Sequence, residues 1–241
     1  MRLGLGPVAL TSAAQLRALA EAATASSFDC VWVDGPAAAA AMVAQWTPVR
    51  VGAVVDVGLH HPLHVAEDIA VADLTCAGRL EVLLRPAHDD PGVVKEHMHV
   101  LAAALSGAHI QWEGLHLRVP GRLADNGPVP QRLALNPRPA QPAVPIWVFD
   151  HQSEWAAVAD PLGFGVASRW RHGLTFGPAR ARLPRAVLCP NTVEAEELLQ
   201  AAGDQAGYFI VEAATPVEVR TAGRRLAGPL RMPEFPTWVN E

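Results

Sequence analysis

The chain is poor in cysteine, tyrosine and lysine, and it has no long hydrophobic run. Its 241 residues include three cysteines and one tyrosine, and Lys95 is the only lysine among 19 basic residues. Three widely spaced cysteines exclude a disulfide framework and a zinc site, and indicate reduced thiols in a core. No stretch reaches the roughly 18 uncharged apolar residues that a membrane span needs, and Gly4, Gly6 and Pro7 interrupt any signal-like segment. We therefore expect a cytoplasmic protein that has no membrane partner.

Charged residues of both signs are also scarce. They make up 18% of the chain against 50% hydrophobic residues, and the formal net charge is −5. An apolar fraction of this size can build a core and excludes a disordered chain. The mild acidity excludes a nucleic-acid binder, which needs a basic face. Because no linker or repeat divides the sequence, we expect one domain over residues 1–241.

Predicted strands and helices alternate along most of the chain. Capping boxes such as Ser12 with Gln15 and Asn191 with Glu194 mark helix starts. Several strands are nearly continuous apolar runs, which is typical of parallel strands covered on both faces. The strands are predicted at 3–10, 28–34, 49–57, 79–85, 145–149, 163–168, 185–189 and 207–213. Eight such units predict an α/β protein with a TIM-like (β/α)8 barrel.

Two segments depart from this alternation. Residues 110–119 alternate around Gly114 and predict a small β-hairpin, which a proline-rich loop follows, so the whole excursion lies near 107–144. Residues 169–183 show no helical period. The helix between the sixth and seventh strands is therefore predicted to be missing or shortened.

A set of short motifs occurs in a fixed order within residues 49–82, 105–119 and 141–165. The motifs are Gly52 to Val55, His61-Pro62, Ala66-Glu67, Asp73, Gly78-Arg79-Leu80, Ser106-Gly107, Gly114 and Pro145-Ile146-Trp147-Val148. In order and spacing they resemble the luciferase-like flavin monooxygenases, over residues 1–168. The resemblance implies a barrel that binds reduced FMN, or alternatively a deazaflavin, at the C-terminal ends of its strands. It also implies a homodimer, through helix 36–46 or helix 62–76.

The chain differs from that family at two functional positions. The second strand ends in Asp34-Gly35, where the family commonly carries a histidine after the acidic residue. The phosphate-binding Gly-Gly-x-Ser turn is replaced by residues 149–153, of which only Ser153 is retained. Asp150 is expected to oppose a phosphate and to cap the following helix. The chain therefore resembles a shortened, partly degenerate member, and we expect weak FMN binding with little preference over riboflavin.

Three charged residues end predicted strands and are candidates for a pocket. Asp34, Asp56 and Arg85 should meet at the C-terminal face, where barrel enzymes place their sites. We assign Asp34 a catalytic role, and Asp56, Arg85 and Ser153 a role in cofactor binding. The alternatives are that Asp34 caps the helix at 36 and that Arg85 pairs with the acidic residues at 89–90.

The loop after the third strand contains two histidines. His60 is the second catalytic candidate, because the ordinary histidine pKa suits proton transfer near neutral pH. His61 is expected to cap the helix that starts at Pro62. His97 and His99 lie on opposite sides of a helix and cannot chelate one metal, so no metal site is expected.

The combined prediction is a flavin-dependent oxidoreductase or monooxygenase that acts on a small organic substrate. The missing histidine and the altered turn leave two alternatives. One is a non-catalytic flavin-binding protein or a pairing subunit of a luciferase-like enzyme. The other is a cofactor-free enzyme that reuses the barrel pocket.

Overall fold

Eight parallel strands close into a barrel. The computed structural model describes residues 2–9, 12–120, 133–150, 155–170, 185–202 and 207–226. The barrel strands are β1 (Arg2–Ala9), β2 (Cys30–Asp34), β3 (Arg50–Val57), β4 (Leu80–Pro86), β7 (Ile146–Phe149), β8 (Gly165–Arg169), β9 (Arg185–Cys189) and β10 (Tyr208–Val211). Around the barrel they follow the order β1-β10-β9-β8-β7-β4-β3-β2, and every neighbouring pair is parallel. The predicted TIM-like barrel and its eight strands are confirmed, with small differences at the strand ends.

Helices connect most of the strands and cover the outside of the barrel. They are α1 (Ala13–Thr24), α2 (Ala37–Val43), α3 (Pro62–Thr75), α4 (Pro91–Leu105), α5 (Ala156–Ala159), α6 (Thr192–Ala202) and α7 (Pro216–Leu226). The predicted caps form, since Ser12 Oγ accepts the Gln15 amide at 3.2 Å and Asn191 Oδ1 accepts the Glu194 amide at 2.9 Å. The predicted helix gap between the sixth and seventh strands falls mainly on residues 171–184, outside the described residues. Within the described ranges, no helix combines the length and apolar character needed to cross a membrane.

The predicted hairpin is present and is attached to α4. Its strands are β5 (Trp112–Glu113) and β6 (Arg118–Val119), paired antiparallel. The Glu96 carboxylate of α4 accepts the main-chain amides of Leu115 at 2.7 Å and Leu117 at 2.8 Å in the turn between them. Because a charged acceptor satisfies several turn amides at once, the hairpin is held against the outer wall of the barrel.

Three aromatic side chains fill the middle of the barrel. Trp32 donates its indole N–H to the Tyr208 hydroxyl at 2.8 Å, and the Trp147 and Tyr208 ring centroids are 5.5 Å apart. Each indole lies against a glycine of a neighbouring strand. A Cβ atom at Gly52 would be 2.2 Å from the Trp32 ring, and one at Gly165 would be 2.4 Å from the Trp147 ring. The barrel is therefore packed solid at its centre, as barrels of this size are.

A buried ionic cluster closes the N-terminal end of the barrel. The fully buried Glu81 carboxylate accepts Arg2 Nη2 at 2.5 Å and Arg50 Nε at 2.6 Å. The indole N–H of Trp147 also donates to it, at 3.3 Å. Two guanidinium groups share this one carboxylate, so the loss of Glu81 would leave two buried or half-buried cations without it. We therefore assign this end of the barrel a structural role.

All three cysteines are buried and free, which confirms the prediction of core thiols. Burial raises the pKa of Cys76 to about 11 and that of Cys189 to about 12. Both thiols are therefore protonated near neutral pH and are poor nucleophiles. The extent of the domain, 1–241, stays a prediction.

Candidate functional site

The mouth at the C-terminal ends of the strands carries a layer of charged side chains. Side chains of a strand alternate in direction, and the residues two positions before Asp34, Asp56 and Arg85 lie in the cluster that fills the barrel interior. The three charged side chains are therefore the next inward-facing layer. Their predicted convergence at one mouth is confirmed, because Arg85 donates hydrogen bonds to both Asp34 and Asp56.

Arg85 bridges the two carboxylates. Its Nε donates to Asp56 Oδ1 at 2.6 Å and its Nη2 donates to Asp56 Oδ2 at 3.3 Å, a two-point contact. Its Nη1 donates to the two oxygens of Asp34 at 3.1 and 3.4 Å. The hydrogen bond to Asp56 is the largest of the effects that raise the pKa of Arg85. The guanidinium is therefore a fixed cation that holds both carboxylates in place.

The alternative structural roles of these residues are not observed. The N-cap of α2 is Pro36 and has no side-chain cap, so Asp34 does not cap that helix. Asp90 instead accepts the Gly92 amide at 2.7 Å, and Arg85 pairs with Asp34 and Asp56. The three residues of the mouth are thus available to a ligand, with side-chain exposures between 35% and 42%.

Across the mouth is a second ion pair that sequence reasoning missed. Arg169 at the end of β8 donates to Glu212, just after β10, at 2.8 Å. Both residues lie two positions beyond members of the interior cluster and so face the mouth. Phe149, at the end of β7, is partly buried and packs on the same cluster. The rule that strand ends converge could have found all three.

The floor of the mouth is apolar. In the layer just below the charged one, five strands contribute small or aliphatic side chains and β2 contributes an indole ring: Val54, Leu83, Ala167, Leu188, Ile210 and Trp32. These side chains are 0% to 5% exposed, so a ligand at the mouth meets the charged groups and the partly buried Phe149 first, with the apolar layer directly beneath them. This combination of an apolar lining with few polar groups is typical of small-molecule sites.

The candidate base His60 lies outside the Asp34–Arg85–Asp56 group. It is exposed in the loop after β3, where its backbone lies against the ring of His97. Among the described residues, no hydrogen bond or ion pair joins it to the Arg85 group, and its catalytic role stays a prediction. His61 caps α3 as predicted, since its Nδ1 accepts the Leu63 amide at 3.3 Å.

The predicted phosphate contact falls outside the described residues, because these exclude Ser153. Asp150 is described and is buried, and its main-chain amide donates to Ala167 O at 2.9 Å. The expectation that Asp150 caps the following helix is wrong: α5 begins at Ala156 and its N-cap is Trp155, without a side-chain cap.

No metal centre is found in the part of the chain that the structure describes. No group of three or more His, Cys, Asp or Glu side chains there could hold a metal ion. His99 instead stacks on Trp112, with ring centroids 5.3 Å apart. The charged mouth is therefore the candidate site.

Comparison with known proteins shows a shared fold without close sequence similarity. No protein-family model and no curated protein sequence matches the chain. Among solved structures, the monooxygenase RslO1 from Streptomyces bottropensis is similar with a TM-score of 0.68 and 18% identity, over 95% of this chain and 98% of the other. An F420-dependent secondary alcohol dehydrogenase, in complex with an F420-acetone adduct, is similar with a TM-score of 0.71 and 12% identity, over 94% of this chain and 98% of the other.

A third structure was solved with FMN. The oxygenating constituent of 3,6-diketocamphane monooxygenase, a type II Baeyer-Villiger monooxygenase from Pseudomonas putida, has a TM-score of 0.54 and 17% identity, over 83% of this chain and 71% of the other. Identities of this size establish the fold alone. The chain therefore has the barrel fold of the luciferase-like monooxygenases and of F420-dependent enzymes, as its motifs predicted.

Proposed function

We propose that this protein is a flavin- or deazaflavin-dependent oxidoreductase that binds its cofactor and a small organic substrate at the barrel mouth. The observation that carries the proposal is the Asp34–Arg85–Asp56 group, which lies half-exposed above an apolar floor at the C-terminal end of the barrel. Structures of this fold include proteins that hold FMN or an F420 adduct. The mouth is also the face at which barrel enzymes carry their sites.

The described mouth fits the ring system of such a cofactor. An isoalloxazine or deazaflavin ring is flat, with an apolar edge and an edge that has both hydrogen-bond donors and acceptors. The apolar floor and Phe149 suit the first edge. The Asp56 and Arg85 side chains supply acceptors and donors for the second. When bound, the cofactor supplies the redox chemistry, with dioxygen activation by a reduced flavin or hydride transfer by a reduced deazaflavin.

The charged residues of this chain orient ligands and exchange protons. Arg85 fixes the Asp56 carboxylate by two hydrogen bonds, so that carboxylate is a rigid acceptor. Asp34 is held only through Nη1 and keeps acceptor capacity toward the mouth. We assign to Asp34 the transfer of a proton to or from the substrate, and we keep His60, which has no hydrogen bond or ion pair with the Arg85 group among the described residues, as a separate catalytic candidate.

The described mouth fits a phosphate less well than a ring. Both arginines that face it, Arg85 and Arg169, are already paired with carboxylates. We therefore expect FMN to bind in the micromolar range or more weakly. Its preference over riboflavin should be below about tenfold, the effect of one charged hydrogen bond.

Titration with FMN, riboflavin and F420, followed by cofactor fluorescence, tests the proposal. Saturable binding of at least one of them is expected, and Arg85→Leu should weaken it at least about tenfold because two ordered carboxylates lose their partner. Glu21→Gln is the matched control, because it breaks the exposed Arg17–Glu21 pair on α1 without touching the mouth. Absence of binding by all three cofactors would refute the proposal and favour a cofactor-free enzyme.

A non-catalytic flavin-binding protein or pairing subunit is the second candidate. It is favoured by the absence of a histidine at position 35, which is glycine. Photoreduced FMN distinguishes the two: an enzyme changes the rate at which dioxygen reoxidises the bound flavin, whereas a non-catalytic binder leaves it equal to that of free FMN.

We also propose that the protein forms a homodimer through α2 and α3. Met42, Val71 and Leu74 are large apolar side chains that remain exposed on these two adjacent helices. An exposed apolar surface of this kind is typical of a subunit interface. Light scattering should give twice the 25.6 kDa chain mass, and Val71→Asp should return a folded monomer. A wild-type protein with the mass of one chain would contradict the dimer.

A further inference from the structure

The charges of the mouth have a net sign. The group around Arg85 combines two carboxylates with one guanidinium, so it carries one net negative charge. Across the mouth, Arg169 and Glu212 neutralise each other. Among the described residues that face the mouth, every cation is thus balanced, and one carboxylate is not.

The hydrogen-bonding capacity of the Asp34–Arg85–Asp56 group also favours a ligand that donates hydrogen bonds. All three guanidinium nitrogens of Arg85 donate hydrogen bonds to Asp34 or Asp56, at 2.6 to 3.4 Å. A carboxylate has about four acceptor positions, and the contacts with Arg85 use only part of them. Because the side chains of Asp34 and Asp56 are 42% and 35% exposed, their remaining lone pairs are open to a ligand. The mouth therefore offers mainly acceptors.

We infer that the mouth selects an amine-bearing small organic ligand over a carboxylic acid of the same shape, and that Asp34 and Asp56 determine this specificity. The inference rests on the proposed function only in taking the mouth as the site of binding. A protonated amine satisfies the free acceptors and balances the net charge, whereas a carboxylate adds a third anion beside the two present. A neutral alcohol donates one hydrogen bond without charge and should fall between them.

Benzylamine, benzyl alcohol and benzoate are matched probes, because they share a phenyl ring that the apolar floor and Phe149 can accommodate. At neutral pH they carry one positive charge, none and one negative charge. Their affinities can be measured by NMR titration of the protein in a buffer of constant pH and constant ionic strength. We expect benzylamine to bind on the order of tenfold more tightly than benzoate, the effect of one net charge at short range in a half-solvated site.

Stepwise removal of the carboxylates should reverse the preference. Asp34→Asn makes the group neutral and should bring the two charged probes to similar affinities. The double variant Asp34→Asn, Asp56→Asn leaves the charge of Arg85 uncompensated, so benzoate should then bind more tightly than benzylamine. Glu21→Gln changes the total charge as Asp34→Asn does, but on α1, and should leave the wild-type order unchanged. Near-UV circular dichroism establishes whether each variant keeps the native packing. If the double variant does not fold, the result for Asp34→Asn alone decides the test.

The outcomes separate this inference from the proposed function. Equal affinities of benzylamine and benzoate in the wild type, or no binding of any probe, would overturn the inference even if flavin binds. A preference for benzylamine that disappears in Asp34→Asn would support the inference even if no flavin or deazaflavin binds. In that case only the proposed cofactor would be refuted. A preference that survives in both variants would show that other groups select the ligand.

Discussion

Neutralising Glu81 should destabilise the protein more than any other single loss of charge in the described barrel. The carboxylate is fully buried, and the side chains of Arg2 and Arg50 that bind it are only 11% and 25% exposed. In Glu81→Gln the amide keeps the shape but has one acceptor oxygen, and its NH₂ group must face a donor. Arg2, Arg50 and the indole N–H of Trp147 all donate toward this position. Two guanidinium groups therefore lose their counter-charge in a site with little water.

The expected loss is about 3 to 5 kcal/mol, which is typical when one partner of a buried ion pair is removed. Urea unfolding, followed by tryptophan fluorescence, should show it as a lower midpoint with an unchanged slope. Glu21→Gln removes a carboxylate from the exposed pair with Arg17 and should cost about 0 to 1 kcal/mol. Adding Arg2→Met to Glu81→Gln should restore part of the loss, because it removes one unbalanced charge.

The reasoning would be refuted by a loss below about 1 kcal/mol in Glu81→Gln, since that is the effect of an exposed pair. It would also be refuted if Arg2→Met lowered the free energy of unfolding of the Glu81→Gln variant by the same amount as it lowers that of the wild type. Such additivity would mean that the two side chains do not interact.

Two further predictions concern a glycine of the barrel interior and a histidine of α4. Gly52→Ala should cost about 1 to 3 kcal/mol through overpacking against Trp32, whereas Gly207→Ala, whose Cβ would meet nothing closer than 4.0 Å, should be tolerated; equal urea midpoints would contradict this. Burial, and then the charge of His61, lower the pKa of His97. The unfolded chain therefore takes up a proton first as the pH falls below about 6.5, and the free energy of unfolding should decrease there. His97→Gln should flatten this decrease between about pH 7.5 and about pH 5, and an unchanged slope would contradict the assignment.

The sequence was sufficient to predict which residues of β2, β3 and β4 reach the mouth. Asp34, Asp56 and Arg85 each follow an apolar run, and parallel strands in a barrel end at one face. What the pattern did not show is that Arg85 bridges both carboxylates. That contact depends on the register of three strands, in which Asp56 lies opposite Arg85.

The second ion pair was missed because two strand ends were misplaced. The sixth strand was predicted to end at residue 168, but it continues through Arg169. The eighth was predicted to include Glu212, but it ends at Val211. A shift of one residue changes whether a side chain is counted in a strand or at its end, and propensity does not locate strand ends that closely.

The ionic cluster at the other end was missed for a different reason. Arg2, Arg50 and Glu81 are far apart in the sequence, and each lies within the first two residues of its strand. The same convergence that forms the mouth brings strand starts together at the opposite face. Local sequence carries no sign that the closure of the barrel buries these charged residues and brings them together.

The solid interior explains how the fold persists while the ligand chemistry changes. Trp32, Trp147 and Tyr208 occupy the centre of the barrel, so a ligand can reach only the outermost layer of side chains at the C-terminal face. Packing of the interior requires pairs such as Gly52 with Trp32, but it places no demand on the strand-end residues. The fold is shared with structures of only 12% to 18% overall identity. The ligand of this protein must therefore be inferred from its own strand-end residues, among which the carboxylates of Asp34 and Asp56 outnumber the charge of Arg85.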